Sequence, residues 1–370
     1  MDQATDKNAG GLADLRERID ALDGRIVDLL NQRAAISLAV GRVKSDAQEQ
    51  IFKPFREKDL LTRLVRDNPG PLPEKHLRAI YREILSSSRT LQRPERVVFL
   101  GPEGTFSHLA AQEYLGHSAQ LTPKTTFEEI FRAVSEGAAE LGVIPLENSL
   151  QGTVGQNVDL FMQYPVHIQA ELYCRISHSL MSRAVSLDKV TSVSSHPKAL
   201  EQCMHWLTEH LPKARLVPEN STAAAAEQAA RDDSGAAVVG SAQLAAMHGL
   251  NVLAEHIEDL PDNWTRFLVI GSAPSQGGNR DKTSILFTTP DRPGALAEVL
   301  NTLAVRGINL TKLESRPFRG ERWKYVFFAD VECDLSKAEY DSVLAQLRDK
   351  CHTLRVLGSY PAGPHLETMG

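Results

Sequence analysis

The chain has 370 residues, 42% of them hydrophobic and 24% charged, with a formal net charge of −6. That length exceeds one typical core and predicts two or three domains. The acidic balance argues against a nucleic-acid partner, and no run of roughly 18 apolar residues could span a membrane. The opening MDQATDKNAGG lacks the basic-then-apolar pattern of a signal peptide. Cys174, Cys203, Cys333 and Cys351 are scattered with no CxxC pair, so neither a disulfide framework nor a structural zinc site is expected, which fits the cytoplasm.

The first segment is helical. Leu12, Leu15, Ile19, Leu22, Ile26 and Leu29 recur in steps of three and four, which predicts one amphipathic helix from Leu12 to Val43. Such a helix is about 50 Å long, longer than a small domain is wide. It cannot bury its stripe within one chain, so the pattern predicts an intertwined dimer. Further helices are predicted over Pro54–Asp67 and Glu74–Leu91. On the long helix Arg33 and Lys44 fall within about 20° of each other, with Arg16 about 80–100° away. Ser88 and Gln92 share a face of the third helix. For an anonymous helix these are most simply solvated charges.

From Arg96 the rhythm becomes strand, glycine turn, helix, repeated as far as WTRFLVIG, which ends at Gly271. This predicts a doubly wound α/β region. Within it, GVIPLENSLQGTVG (142–155) starts as a buried strand and ends in a crowd of hydrogen-bonding groups. Open α/β folds place ligands at such strand ends. GPEGTFSH (101–108) is a strand-to-helix turn in which Thr105 and Ser107 could donate to an anion. SSHPKALEQC (194–203) places Ser195 at a strand end and Gln202 on the next helix. Ser221 or Thr222 reads as a helix cap, and NWTRF sets Thr265 and Arg266 before an apolar strand. SAPSQGGNRDK (272–282) is a linker by composition. Beyond it the order is βαββαβ, a ferredoxin-like split unit.

LRERIDALD, NQRAAISLAVGRVK, PFREKDL and SSSRTLQ, within about the first 93 residues, together resemble the all-helical chorismate mutases. The resemblance implies a site of Arg16, Arg33, Lys44, Arg56, Glu57, Ser88 and Gln92, with Arg16 reaching the partner's site. Chorismate is a dianion that rearranges to prephenate in one pericyclic step. Arginine forks suit its carboxylates. The implied roles place Lys44 and Gln92 on the breaking ether oxygen and Glu57 on the substrate hydroxyl. Lys53 departs from the family, whose members often carry an acidic residue there.

GPEGTFSH, VIPLENS, SHPKALEQC and TRF follow in order over residues 96–272 and resemble prephenate dehydratase. The resemblance implies two α/β lobes, like type II periplasmic binding proteins, with a cleft lined by Thr105, Asn148, Ser149, Ser195, Gln202 and Thr265. Leu150 departs from the small hydroxyl residue usual after the Ser. A Thr hydroxyl has no pKa near neutrality, so Thr265 reads as an oriented donor to the departing hydroxyl. His108 and His196 are candidate acids on residue type alone, but read more simply as polar or capping residues. No metal or organic cofactor is signalled.

PGAL with ESRP twenty residues later resembles an ACT domain, the amino-acid-sensing form of this fold. It implies a phenylalanine site at Gly294, Ala295, Leu296, Glu314, Ser315, Arg316 and Pro317, formed between two subunits. The expected domains are thus residues 1–93, 96–272 and 280–365, resembling the bifunctional chorismate mutase–prephenate dehydratases. The expected partners are chorismate, prephenate, the effector L-phenylalanine and a second copy of the chain in a homodimer or higher assembly, with neither nucleic acid nor membrane. The rival readings are a monofunctional prephenate or arogenate dehydratase with a helical dimerisation domain, and a non-enzymatic amino-acid-binding regulator. The linker also predicts that deleting residues 280–370 leaves an active, phenylalanine-insensitive enzyme, provided the truncated chain stays soluble.

Overall fold

The structure, a computed structural model, describes residues 3–46, 50–232, 234–275, 277–278, 280–317 and 325–367. Helix α1 spans Gln3–Asp46, α2 Pro54–Arg66 and α3 Glu74–Gln92. At 44 residues α1 is about 66 Å long, longer than its periodic core alone predicts. Its C-terminal part lies on α3. A Cβ on Gly41 would come within 2.8 Å of the Gln92 Cα, so the two backbones meet there. The other end of α1 is uncovered. Leu12, Leu15, Ile19, Leu22 and Ile26 are each more than half exposed.

The middle of the chain forms two lobes. In the first sheet, Arg96–Leu100 pairs in parallel with Gln120–Lys124 and with Leu141–Asn148. Its flanking helices start where the sequence caps them: Thr105 accepts from the His108 N–H, and Thr126 from the Glu129 N–H. The second sheet is ordered Asn251–Ala254, Ser179–Ser182, Ala236–Gly240, Ser192–Ser195, Arg215–Pro218. Ser221, not Thr222, caps the helix Thr222–Arg231. Both sheets are mixed, a parallel set of strands with antiparallel strands added, as doubly wound folds often are. The chain leaves the first lobe after His167–Arg175, builds the second, and returns as Trp264–Gly271. That returning strand runs antiparallel to both of its neighbours, Leu141–Asn148 and His167–Arg175.

The C-terminal unit is the expected βαββαβ, with sheet order Leu310–Pro317, Tyr325–Val331, Lys282–Thr288, Thr353–Tyr360. Two helices cover one face of it, over a core that includes Ile285, Val299, Leu303, Val343 and Leu347. The other face is equally apolar. Leu286, Val326, Phe328, Leu357 and Tyr360 join one core with Ile144, Leu146, Ile168, Leu268 and Ile270 of the first lobe. The chain then returns once more, and His365–Leu366 adds a short parallel strand beside His167–Arg175. The C-terminal unit and the first lobe therefore share one buried core. Removing residues 280–370 would uncover part of one face of the first lobe's sheet, a face that the helices Phe127–Ser135 and Gly155–Gln163 also cover.

Candidate functional site

In the helical region, α1 and α3 bring part of the expected cluster together. The Arg33 guanidinium donates to Ser88 Oγ, which in turn donates to Ile84 O at 2.7 Å. One turn on, Gln92 Nε2 donates to Ser88 O at 3.0 Å, while Gln92 Oε1 is buried with no protein partner. Lys44 Nζ donates to Ile51 O at 3.4 Å. Arg16 is not part of this group. It lies 17 residues up α1, about 25 Å away along the axis, and is exposed. Arg56 is exposed at the start of α2.

Glu57 has a partner the sequence reading missed. Arg89 Nη1 donates to both Glu57 carboxylate oxygens, at 2.6 and 2.7 Å. The Arg89 head is almost fully buried and also binds Glu95 Oε2 at 3.1 Å and the carbonyl of Leu115 in the first lobe. Burial opposes its charge, yet the two carboxylates hold its pKa above the usual arginine value. Arg89 stood within the quoted SSSRTLQ, but no local pattern ties it to Glu57, 32 residues away.

Between the lobes, strand pairing sets Thr265 opposite Asn148. Asn148 Nδ2 lies 3.0 Å from Thr265 Oγ1, 2.6 Å from Asn263 Oδ1 and 3.2 Å from Trp264 O. Asn148 Oδ1 accepts the N–H groups of Leu150 and Gln151, each at 3.1 Å, which fixes the amide's orientation. Ser149 is committed to the backbone: its Oγ donates to Asp262 O at 3.0 Å and accepts the Trp264 N–H at 2.9 Å. Asn263 is wholly buried, with Nδ2 unpartnered.

The other expected residues have partners of their own. Thr105 is a helix cap whose hydroxyl donates to Leu100 O at 2.9 Å. Ser195 is fully buried in the second lobe and donates to Val239 O at 2.6 Å. Gln202 ends the helix Pro197–Gln202, and its Oε1 lies 2.8 Å from His178 Nε2. His108 accepts the Gly104 N–H on Nδ1 at 3.0 Å, and His196 caps the helix at Pro197. A crevice of about 500 Å³, lined by Glu103, His108, Gln112, Gln243 and Met247, contains none of the Thr265 group.

Arg266 points away from Thr265, into the C-terminal sheet. Its guanidinium binds Glu171 at 2.8 Å, Asp330 at 2.5 Å, Glu147 at 3.3 Å and the Tyr360 hydroxyl at 3.1 Å. Lys282 adds a second cation to Glu171 at 2.9 Å, and Lys312 binds Glu147. Burial alone would raise the Glu147 pKa, but Lys312 and Arg266 hold it below the usual carboxylate range.

Gly294 precedes the helix Ala295–Ala304 with φ +81°, and nothing crowds the space where its Cβ would be. That left-handed backbone is a conformational reason for glycine at this position. Ala295 is buried and Leu296 half-buried at that helix start. Glu314, Ser315, Arg316 and Pro317 lie on the edge strand of the sheet. Arg316 reaches Asp159 of the first lobe at 3.2 Å, and Glu314 lies 3.4 Å from Lys312. Among the described residues no group of His, Cys, Asp or Glu could hold a metal ion, and no helix is long and apolar enough to cross a membrane.

Three family descriptions match the chain in order: chorismate mutase type II over residues 15–93, prephenate dehydratase over 97–275 and ACT domain over 283–349. The bifunctional chorismate mutase/prephenate dehydratase of Aquifex aeolicus is 40% identical over 354 residues, covering 95% of this chain and 98% of the relative. Arogenate dehydratase 2 of Petunia hybrida is 34% identical over 314 residues, covering 80% and 78%. The crystal structure of prephenate dehydratase in complex with L-Phe from Arthrobacter aurescens superposes with a TM-score of 0.66 at 36% identity, covering 72% of this chain and 90% of that one. Helical region, two-lobed region and βαββαβ unit thus stand in the same order as these domains, and the chain belongs to the family of bifunctional chorismate mutase/prephenate dehydratases.

Proposed function

We propose that the helical region rearranges chorismate to prephenate, that the two-lobed region converts prephenate to phenylpyruvate, and that L-phenylalanine inhibits the second step from the C-terminal unit. The Asn148–Thr265 contact carries the dehydratase reading. Because Asn148 donates to Thr265 Oγ1, the Thr265 proton is left to donate elsewhere. In the reaction the ring carboxylate leaves as carbon dioxide, its electron pair aromatises the ring, and the ring hydroxyl departs as hydroxide. A donor fixed on that hydroxyl stabilises charge that develops only in the transition state. Asn148, Ser149, Ser195, Gln202 and Thr105 complete or support this cleft.

In the mutase site, Arg33 and Arg56 would meet substrate carboxylates, and Lys44 and Gln92 the ether oxygen, with Ser88 orienting Arg33. The buried, unpartnered Gln92 Oε1 fits a group that waits for a ligand. Glu57, held by Arg89, would accept from the substrate hydroxyl. Arg16 would belong to the site of a second copy, and the exposed apolar row on α1 supports that dimer. Four free cysteines fit a cytoplasmic location.

The test is direct. The purified full chain is given chorismate, prephenate or arogenate, and products are identified with and without L-phenylalanine. Prephenate and then phenylpyruvate should form from chorismate, with the second step slowed by phenylalanine. Turnover of arogenate in preference to prephenate would overturn the substrate assignment.

A further inference from the structure

His178 lies outside every residue set considered so far. It sits where the chain passes from the first lobe to the second and is only 1% exposed. Its ring packs edge-on against Phe106 of the first lobe, with centroids 5.5 Å apart. Its backbone N–H is held by Glu258 at 2.8 Å, and its carbonyl accepts the Ile257 N–H at 2.9 Å. The ring is therefore fixed from both lobes. Its Nε2 meets Gln202 Oε1 at 2.8 Å, while Nδ1 is buried with no protein partner.

That arrangement couples the ring tautomer to the orientation of the Gln202 amide. An oxygen faces Nε2, so Nε2 carries the proton and donates. Burial favours the neutral ring and lowers its pKa. With its oxygen engaged, Gln202 keeps only its NH2 group for other contacts, and that group has no protein partner among the described residues. A free glutamine amide could turn either end toward a ligand. This one can turn only if the ring proton moves to Nδ1, where the N–H would be buried without a protein partner.

We propose that His178 is a positioning residue of the dehydratase, which locks Gln202 with its NH2 group toward the substrate. Gln202 then serves only as a donor, which suits a carboxylate or a departing hydroxide and rejects a ligand donor. The inference rests on Gln202 belonging to the cleft, and the experiment separates the two.

Full-length variants are assayed for dehydratase kcat and KM on prephenate, with mutase turnover in the same chain as the check on folding. His178→Gln keeps a donor near the Nε2 position. His178→Asn places its amide nitrogen near Nδ1, short of Gln202, and His178→Phe keeps the ring without a donor. The Asn and Phe variants should lose roughly ten- to a hundredfold in kcat, the scale of a misplaced catalytic group, while the Gln variant recovers most of it. In a Gln202→Ala background, His178→Asn should cost nothing further. Equal damage from Gln and Asn, or full additivity with Gln202→Ala, would overturn the role. Should Phe fail to fold, the Gln and Asn pair still decides. An unchanged kcat for Gln202→Ala alone would instead remove Gln202 from the site.

Discussion

Replacing Arg266 with Met tests whether the C-terminal sheet is built onto the strand Trp264–Gly271 by charge. Arg266, Lys282 and Lys312 face Glu147, Glu171 and Asp330, three cations against three carboxylates. Asp330 and Glu171 are buried to within 1%. Met fills much of the Arg stem but leaves Asp330 without a cation. Breaking a buried pair from one side costs about 3–5 kcal/mol, mostly through the charge left behind. For a unit of 150–250 residues each kcal/mol moves the melting midpoint by about 2–4 °C, so the fall should be roughly 6–20 °C. Differential scanning calorimetry of the full chain reads it. Adding Asp330→Asn should restore part of the loss, because it removes the stranded charge. A midpoint within about 2 °C of the parent, or no recovery in the double variant, would show that the apolar contact alone holds the unit in place.

Lys44→Ala should lower mutase kcat by the equivalent of about 3–4 kcal/mol while prephenate supplied directly is still dehydrated; coupled assays of the two steps check this. Thr265→Ala should reduce dehydratase kcat far more than prephenate affinity, and Thr265→Ser should retain much of the activity; equal damage would assign the role to the methyl group. Gly294→Val should abolish phenylalanine binding in a calorimeter and lower stability by about 1–2 kcal/mol, because a β-branched residue is forced to φ +81°; Gly294→Asn, which tolerates that backbone, should fold like the parent. Deleting residues 280–370 should give an aggregating chain with little dehydratase activity, and a soluble, active truncation would contradict the shared core described above.

Element order was legible because it depends on period and punctuation. Steps of three and four marked α1, and Pro54 and Thr105 marked helix starts that the structure contains. What stayed hidden depended on partners distant in the chain. Asn148 and Thr265 are 117 residues apart and meet only through sheet register. Motif resemblance named both residues, but their contact could not be read from either stretch. Arg89 looked like any helix arginine until Glu57, Glu95 and Leu115 converged on it. The shared core of the first lobe and the C-terminal sheet stayed hidden for a similar reason. Composition reports flexibility of a segment, whereas separability depends on what the following sheet buries, and alternation alone did not reveal that both faces of that sheet are covered.

Strand geometry gives the candidate chemistry and the C-terminal unit a common support. Successive side chains on a strand point to opposite faces. On Trp264–Gly271, Thr265 meets Asn148 while Arg266 enters the C-terminal sheet; on Leu141–Asn148, Asn148 faces Thr265 while Glu147 meets Lys312. The pairs Thr265–Asn148 and Arg266–Glu147 are consecutive rungs of one ladder. Lys312 belongs to the same edge strand as Glu314 and Ser315. A ligand that displaces this strand therefore pulls on Glu147, and Glu147 cannot move far without moving Asn148. Close-packed interiors give such a shift little room to dissipate. The size of any effect is bounded by how much more tightly the ligand binds the displaced arrangement than the original, so inhibition at a distance needs only a small movement here, one peptide unit from the Thr265 contact.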